Sequence, residues 1–165
     1  GSGVMIAKNR MLTAGHVAAI DADTTPLTLN GKRVKVLKIE EKVDIALLEV
    51  DMDCPCVPVG SLPKHLDDPV VLVGFPMFPN LESQILTEGR VTGMMPDKQY
   101  LITTANAAPG NSGGGLFYKD SKGNWKLVGI LVSVAGKSNF LGEPQLFTYL
   151  SISVSGETIQ KFLNQ

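Results

Sequence analysis

Cysteine, histidine and surplus charge are all scarce in this sequence, and each shortage narrows the reading. Two cysteines stand in 165 residues, Cys54 and Cys56. One residue apart, they are too close for an ordinary unstrained disulfide, and two are too few for a zinc site. They are expected as free thiols near a strand end, and a chain not built around disulfides is compatible with a reducing compartment. Basic and acidic residues number 15 and 16, a formal net charge of −1. That balance gives no reason to expect nucleic acid as a partner. No apolar run reaches the roughly 18 residues of a membrane-spanning helix, and the first residues do not read as a signal peptide. No membrane partner is expected, and the compartment stays open.

What is present is an ordinary globular composition, 44% hydrophobic over 165 residues. A chain of this length can bury roughly 70% of its unfolded surface and needs no staples. Short apolar runs separated by turn residues read as strands at 3–7, 10–16, 25–29, 33–40 and 44–50, then at 70–75, 85–95, 100–105, 115–118, 126–134 and 145–152. Residues 33–39 alternate polar with apolar, as a half-buried strand should, after the hairpin signal Asn30-Gly31. Residues 60–64 read as a linker between two lobes, and Asp21-Ala22-Asp23 as surface. The convincing helix is terminal, with Ser155 as its cap and Ile159, Phe162 and Leu163 on one face. These elements predict an all-β fold of two antiparallel barrels side by side, closed by a C-terminal helix.

The chemistry is concentrated in Gly110-Asn111-Ser112-Gly113-Gly114-Gly115. Glycine in such numbers costs backbone entropy and suits a tight turn that presents bare N–H groups. A serine there places an attacking oxygen beside donors for an oxyanion, the pairing acyl transfer needs. Taken alone, the run also fits a plain surface loop. A serine nucleophile needs a base, and only two histidines exist, His16 and His65. His65 lies in the polar stretch Pro63-Lys64-His65-Leu66-Asp67-Asp68 and reads as solvated surface. His16 ends a strand that runs into a small-residue turn. Asp44 opens the apolar run Asp44-Ile45-Ala46-Leu47-Leu48, where an unpartnered carboxylate is expensive to bury, so it calls for a partner such as His16.

Thr13-Ala14-Gly15-His16, Asp44-Ile45-Ala46-Leu47 and Gly110-Asn111-Ser112-Gly113-Gly114 together resemble the three motifs of the chymotrypsin-like (trypsin-fold) serine peptidases, in the family's order. Gly1-Ser2-Gly3-Val4, the stretch Thr87-Glu88-Gly89-Arg90-Val91 and Tyr149-Leu150-Ser151-Ile152 are similar to the HtrA/Deg-type branch, and compact viral serine proteases are also similar. The resemblance implies one peptidase domain over residues 1–165, with a first barrel over about 1–60 and a second barrel plus helix over about 69–165. Both barrels would be six-stranded in type, the first lacking its first strand. An open strand edge there is expected to be covered by native residues upstream of this sequence or by a strand from another molecule, the latter giving association through strand pairing.

By the same resemblance Ser112 is the nucleophile, His16 the general base and acid, and Asp44 the orienting carboxylate. The N–H groups of Gly110 and Ser112 form the oxyanion hole. Asn106, Ala107, Ser133, Val134 and Ala135 line the substrate site, and Ser133 hydrogen-bonds the triad aspartate. Without a carboxylate at Asn106, small or medium apolar residues should precede the cleaved bond. Protein or peptide substrates are implied, and neither cofactor nor metal. Asn111 stands where digestive relatives carry an aspartate paired to a new N-terminus. A module that binds peptides without cutting them is the alternative, although such relatives usually lose a triad member.

Overall fold

The structure, a computed structural model, describes residues 1–19, 26–78, 80–138 and 144–165. The cluster Asp21-Ala22-Asp23 and the expected strand start at Thr25 lie outside them. In the first lobe, β1 (Val4–Ala7), β2 (Arg10–Ala14), β5 (Lys35–Glu40) and β6 (Ile45–Glu49) form an antiparallel sheet in the order β1-β2-β6-β5. Alternation along these strands divides their side chains between two cores. Met11, Ala46 and Leu48 face the lobe's own interior, while Leu12, Ala14 and Ile45 face the second lobe. A separate hairpin pairs β3 (Thr28–Leu29) with β4 (Lys32–Arg33). Its turn has Asn30 at φ 51° and Gly31 at φ 80°, the doubly left-handed geometry that matches strand twist. Among the described residues this lobe is therefore an open sheet plus a hairpin, not a closed barrel.

The second lobe closes. Strands β7 (Pro69–Gly74), β8 (Ile85–Met94), β9 (Tyr100–Thr103), β10 (Gly115–Lys119), β11 (Trp125–Ser138) and β12 (Pro144–Ser155) form a barrel in the order β10-β11-β12-β9-β8-β7, with β7 pairing back onto β10. Val70, Leu72, Val91, Leu101, Leu116, Val128 and Leu131 fill it. The chain then enters α2 (Gly156–Leu163), where the Ser155 hydroxyl accepts from the Thr158 N–H at 3.3 Å. Ile159 and Phe162 bury their side chains against Leu12, Ile45 and Leu127, between the lobes.

Four expectations need correction. The strand expected over 10–16 stops at Ala14, because Gly15 donates its N–H to the Asp44 carbonyl at 2.9 Å and α1 (Gly15–Ala18) begins there. In β5 the alternation is inverted: Val36, Leu37 and Ile39 are exposed, while Lys38 turns inward. A bulge between Val36 and Lys38 shifts the register. The reward for Lys38 lies at the end of α2, where its ammonium donates to the Phe162 carbonyl and sits 4.5 Å from the Phe162 ring centre. The linker is docked rather than loose, since Gly60 donates to the Leu127 carbonyl at 2.9 Å and Leu62 is buried in the barrel core. Cys54 and Cys56 are joined in a disulfide across one intervening proline, with 5.0 Å between their Cα atoms. They are therefore not the two free thiols expected.

Candidate active site

Asp44 holds residues 15 and 16 by three contacts. Its carbonyl accepts from the Gly15 N–H at 2.9 Å, Oδ1 accepts from the His16 N–H at 2.7 Å, and Oδ2 lies 2.7 Å from His16 Nδ1. An ionised carboxylate can only accept, so Nδ1 carries the imidazole proton and Nε2 keeps its lone pair. That is the tautomer a general base needs. Asp44 sits at φ 60°, a left-handed conformation that aspartate tolerates better than most residues. The Gly15 bond and an N–H···O bond from Asp44 to the Glu41 carbonyl at 3.3 Å keep it there. Tyr100 supports the same loop, donating its hydroxyl to the Lys42 carbonyl at 3.2 Å. Burial, and after it the charge of Asp44, pushes the Tyr100 phenol above its ordinary range.

The imidazole is 51% exposed and the carboxylate 31%, so the pair is accessible to solvent. In the second lobe, Ala108-Pro109-Gly110-Asn111 makes a tight turn closed by the Asn111 N–H on the Ala108 carbonyl at 3.0 Å. Proline at its second position and Gly110 at φ 98° at its third are the residues a type II turn demands. Ser112 follows, half-buried. Its carbonyl accepts from the Ser2 N–H at 2.8 Å. Gly113 then adopts φ 91° and runs so close to the Ser2 carbonyl and the Thr13 hydroxyl that a Cβ would overlap both. Its N–H donates to the Leu131 carbonyl at 2.7 Å. Through Thr13 and Ser2 the serine loop is seated against the strand that delivers His16. Among the described contacts no hydrogen bond joins Ser112 to His16.

The other residues singled out from sequence take varied places. Asn111 is buried, and among the described residues its Oδ1 has no hydrogen-bond partner. Asn106 is exposed, and its carbonyl accepts from the Thr87 hydroxyl at 2.7 Å. Ala107 packs into the barrel core. The exposed Ser133 donates its hydroxyl to the Val134 carbonyl at 3.2 Å, not to Asp44. Val134 and Ala135 are half-buried beside it on β11. His65 is not solvated: it is 15% exposed and pairs with Glu157 at 3.2 Å, at the start of α2. Among the described residues no cluster of side chains could hold a metal ion.

Sequence reasoning missed the neighbours of the serine loop. Met77 donates its N–H to the Pro109 carbonyl at 2.7 Å, and Phe75 donates its N–H to the Ser2 hydroxyl at 2.8 Å. Both side chains are exposed beside the turn. Ser2 was legible only as a small polar residue between two glycines.

Comparison with known proteins bears on the fold and the family. The model of the trypsin-like peptidase domain matches residues 1–130. The chain belongs to that family. Relatives of the trypsin-like peptidase domain include the mouse (Mus musculus) peroxisomal leader peptide-processing protease, 31% identical over all of this chain and 30% of that protein. The serine endoprotease from Yersinia pestis superposes with a TM-score of 0.71 at 26% identity, over 99% of this chain and 56% of that one. The HtrA-type protease AlgW with tripeptide superposes at 0.70 and 22% identity, over 99% and 54%. The chain thus spans less than a third of the mouse protease and little more than half of the two solved structures. Among the described residues, no helix is long and apolar enough to cross a membrane.

Proposed function

We propose that this chain is a serine endopeptidase acting through Ser112, His16 and Asp44. The observation that carries the reading is the Asp44-held imidazole three residues after Thr13, against whose hydroxyl Gly113 of the serine loop is packed. In this scheme Ser112 Oγ attacks the substrate carbonyl carbon as His16 Nε2 takes its proton. The carbonyl oxygen gathers negative charge between the N–H groups of Gly110 and Ser112. Collapse expels the amine, which receives the proton from Nε2–H and leaves an acyl-enzyme on Ser112. Water, deprotonated by the same nitrogen, then releases the acid. Asp44 stays ionised and stabilises the imidazolium at each step. The test is labelling with a fluorophosphonate probe followed by peptide mass spectrometry. The label is expected on Ser112 and absent from Ser112→Ala; a folded parent that takes no label there refutes the reading.

The substrate site favours small or medium apolar residues before the cleaved bond. Asn106, Val134 and Ala135 offer no carboxylate to a substrate Lys or Arg, and an uncompensated buried charge is costly. A peptide-library digestion checks this: dominant cleavage after Lys, Arg, Glu or Gln overturns it. The first lobe binds a further strand from another molecule. Its sheet ends at β1 and β5, the outer strand exposes Val36 and Ile39, and a cavity of about 470 Å³ lined by Met5, Met11, Leu27, Leu29, Val34 and Leu48 opens beside Ser2. Light scattering that finds only monomer at high micromolar concentration overturns that association.

A further inference from the structure

Ser2 lies outside the proposed triad, yet all three of its polar groups are engaged around the serine loop. Its N–H donates to the Ser112 carbonyl at 2.8 Å, and its carbonyl accepts from the Thr13 hydroxyl at 2.7 Å. Its own hydroxyl accepts from the Phe75 N–H at 2.8 Å and lies 2.8 Å from the Gly110 carbonyl. The direction of the last bond is fixed by elimination. An amide N–H can only donate and a carbonyl can only accept, so the Ser2 proton must point at Gly110. Ser2 is buried, so water does not readily replace any of these partners.

The two peptide groups that flank Gly110 are thereby both tethered. The one before it is held through its carbonyl, which accepts from Met77 N–H at 2.7 Å. The one after it is held at both ends, by the Ser2 hydroxyl on its carbonyl and by its N–H on Ala108. Glycine at φ 98° has wide conformational freedom, so nothing intrinsic to residue 110 fixes the direction of its N–H. External bonds have to do so. Phe75 and Met77, two residues apart, reach the turn by two routes, one through Ser2 and one directly.

We propose that Ser2 is a positioning residue of the oxyanion hole: by fixing the Gly110–Asn111 peptide it sets the conformation at Gly110 and, together with Met77 on the preceding peptide, holds the Gly110 N–H for charge developing in the transition state. The inference rests on the peptidase reading above. Its signature is specific: substrate in the ground state is bound elsewhere, so loss of the Ser2 hydroxyl lowers kcat and leaves KM nearly unchanged.

The test compares the parent with Ser2→Ala, Ser2→Cys and Thr13→Val. Thr13→Val removes a bond to the same residue but leaves the hydroxyl–Gly110 contact intact, so it reports general loosening of the site. Turnover of a peptide substrate, inhibition by the matching peptide aldehyde and thermal unfolding are measured on each. Removing an oxyanion donor outright costs about a hundred- to a thousandfold, and a loosened donor should cost less. Ser2→Ala is expected to lose about ten- to a hundredfold in kcat, with KM within about twofold and aldehyde affinity falling in step with kcat. Ser2→Cys, a near-isostere with a weaker donor, falls between parent and alanine. It applies the same criterion if Ser2→Ala does not fold. Two results overturn the proposal: kcat within about twofold of the parent in both Ser2 variants, or equal losses in Ser2→Ala and Thr13→Val. A parent unlabelled at Ser112 would instead refute the peptidase reading. A labelled parent with unaffected Ser2 variants would remove only the role of Ser2.

Discussion

Asp44→Asn is the sharpest probe of the site, because the geometry dictates which way the new amide must face. Oδ1 accepts from the His16 backbone N–H at 2.7 Å, and Oδ2 meets Nδ1 at 2.7 Å. An asparagine has one acceptor and one donor end. Turning its NH2 group toward the backbone would set two donors face to face and leave the His16 N–H unpaired, at a cost of about 1–3 kcal/mol. The amide oxygen therefore stays on the backbone and the NH2 group faces Nδ1. Nδ1 must then offer its lone pair, so the ring proton moves to Nε2. A protonated Nε2 cannot take the serine proton, and the base is lost with hardly an atom displaced. In the trypsin-fold triad this change costs about ten-thousandfold in kcat, or about 5 kcal/mol of transition-state stabilisation. Three measurements check the chain of reasoning. Peptide turnover should fall by about that factor, and nitrogen-15 spectra of the imidazole should show the proton on Nε2. The Tyr100 phenol should titrate lower than in the parent, because the Asp44 charge no longer raises it. It should stay above its ordinary range, since burial is the larger cause. A variant that keeps more than about a tenth of parental turnover, or a ring still protonated on Nδ1, refutes the argument.

Three further outcomes follow from packing and from side-chain pairs. Gly113→Ala forces a Cβ into φ 91° and against the Ser2 carbonyl, so the urea midpoint should drop by the equivalent of about 3 kcal/mol; parental stability would contradict the packing described. Lys38→Met keeps the apolar stem but loses the ammonium at the end of α2, for about 1 kcal/mol in urea unfolding with no change in slope. His65→Ala strands Glu157 and should cost about 1 kcal/mol of stability, while kcat stays within about twofold of the parent. A large loss of turnover there would mean that the wrong histidine has been placed at the centre.

The barrel strands were legible because alternation and turn residues are local properties. Ile85-Leu86-Thr87-Glu88-Gly89-Arg90 reads as a strand whatever it packs on. The hairpin at Asn30-Gly31 was legible because two residues contain the whole turn. The Asp44–His16 contact was legible because an unpaired carboxylate is costly to bury. What could not be read depends on residues far apart in sequence. Lys38 faces inward because of a helix end 124 positions later, and Ser2 matters through a carbonyl 108 positions away. His65 looked solvated because its neighbours are polar; its partner Glu157 belongs to another element altogether. Ser133 shows the converse limit: motif position placed it near the aspartate, but its hydroxyl turns to the Val134 carbonyl.

The helix α2 is fastened to both halves of the molecule. Its buried face meets Leu12 and Ile45 from one side and Leu127 and Ile130 from the other, and Lys38 reaches over to grip its far end. His16 and Asp44 belong to one half and Ser112 to the other, so on the proposed mechanism the distance across which a proton must pass is set by how the halves are clamped. Residues of α2 would then govern the reach of a base some 140 positions earlier. Loosening that clamp would slow the proposed acylation before it melts either half. Damage to α2 would surface first as slowed turnover and only later as unfolding.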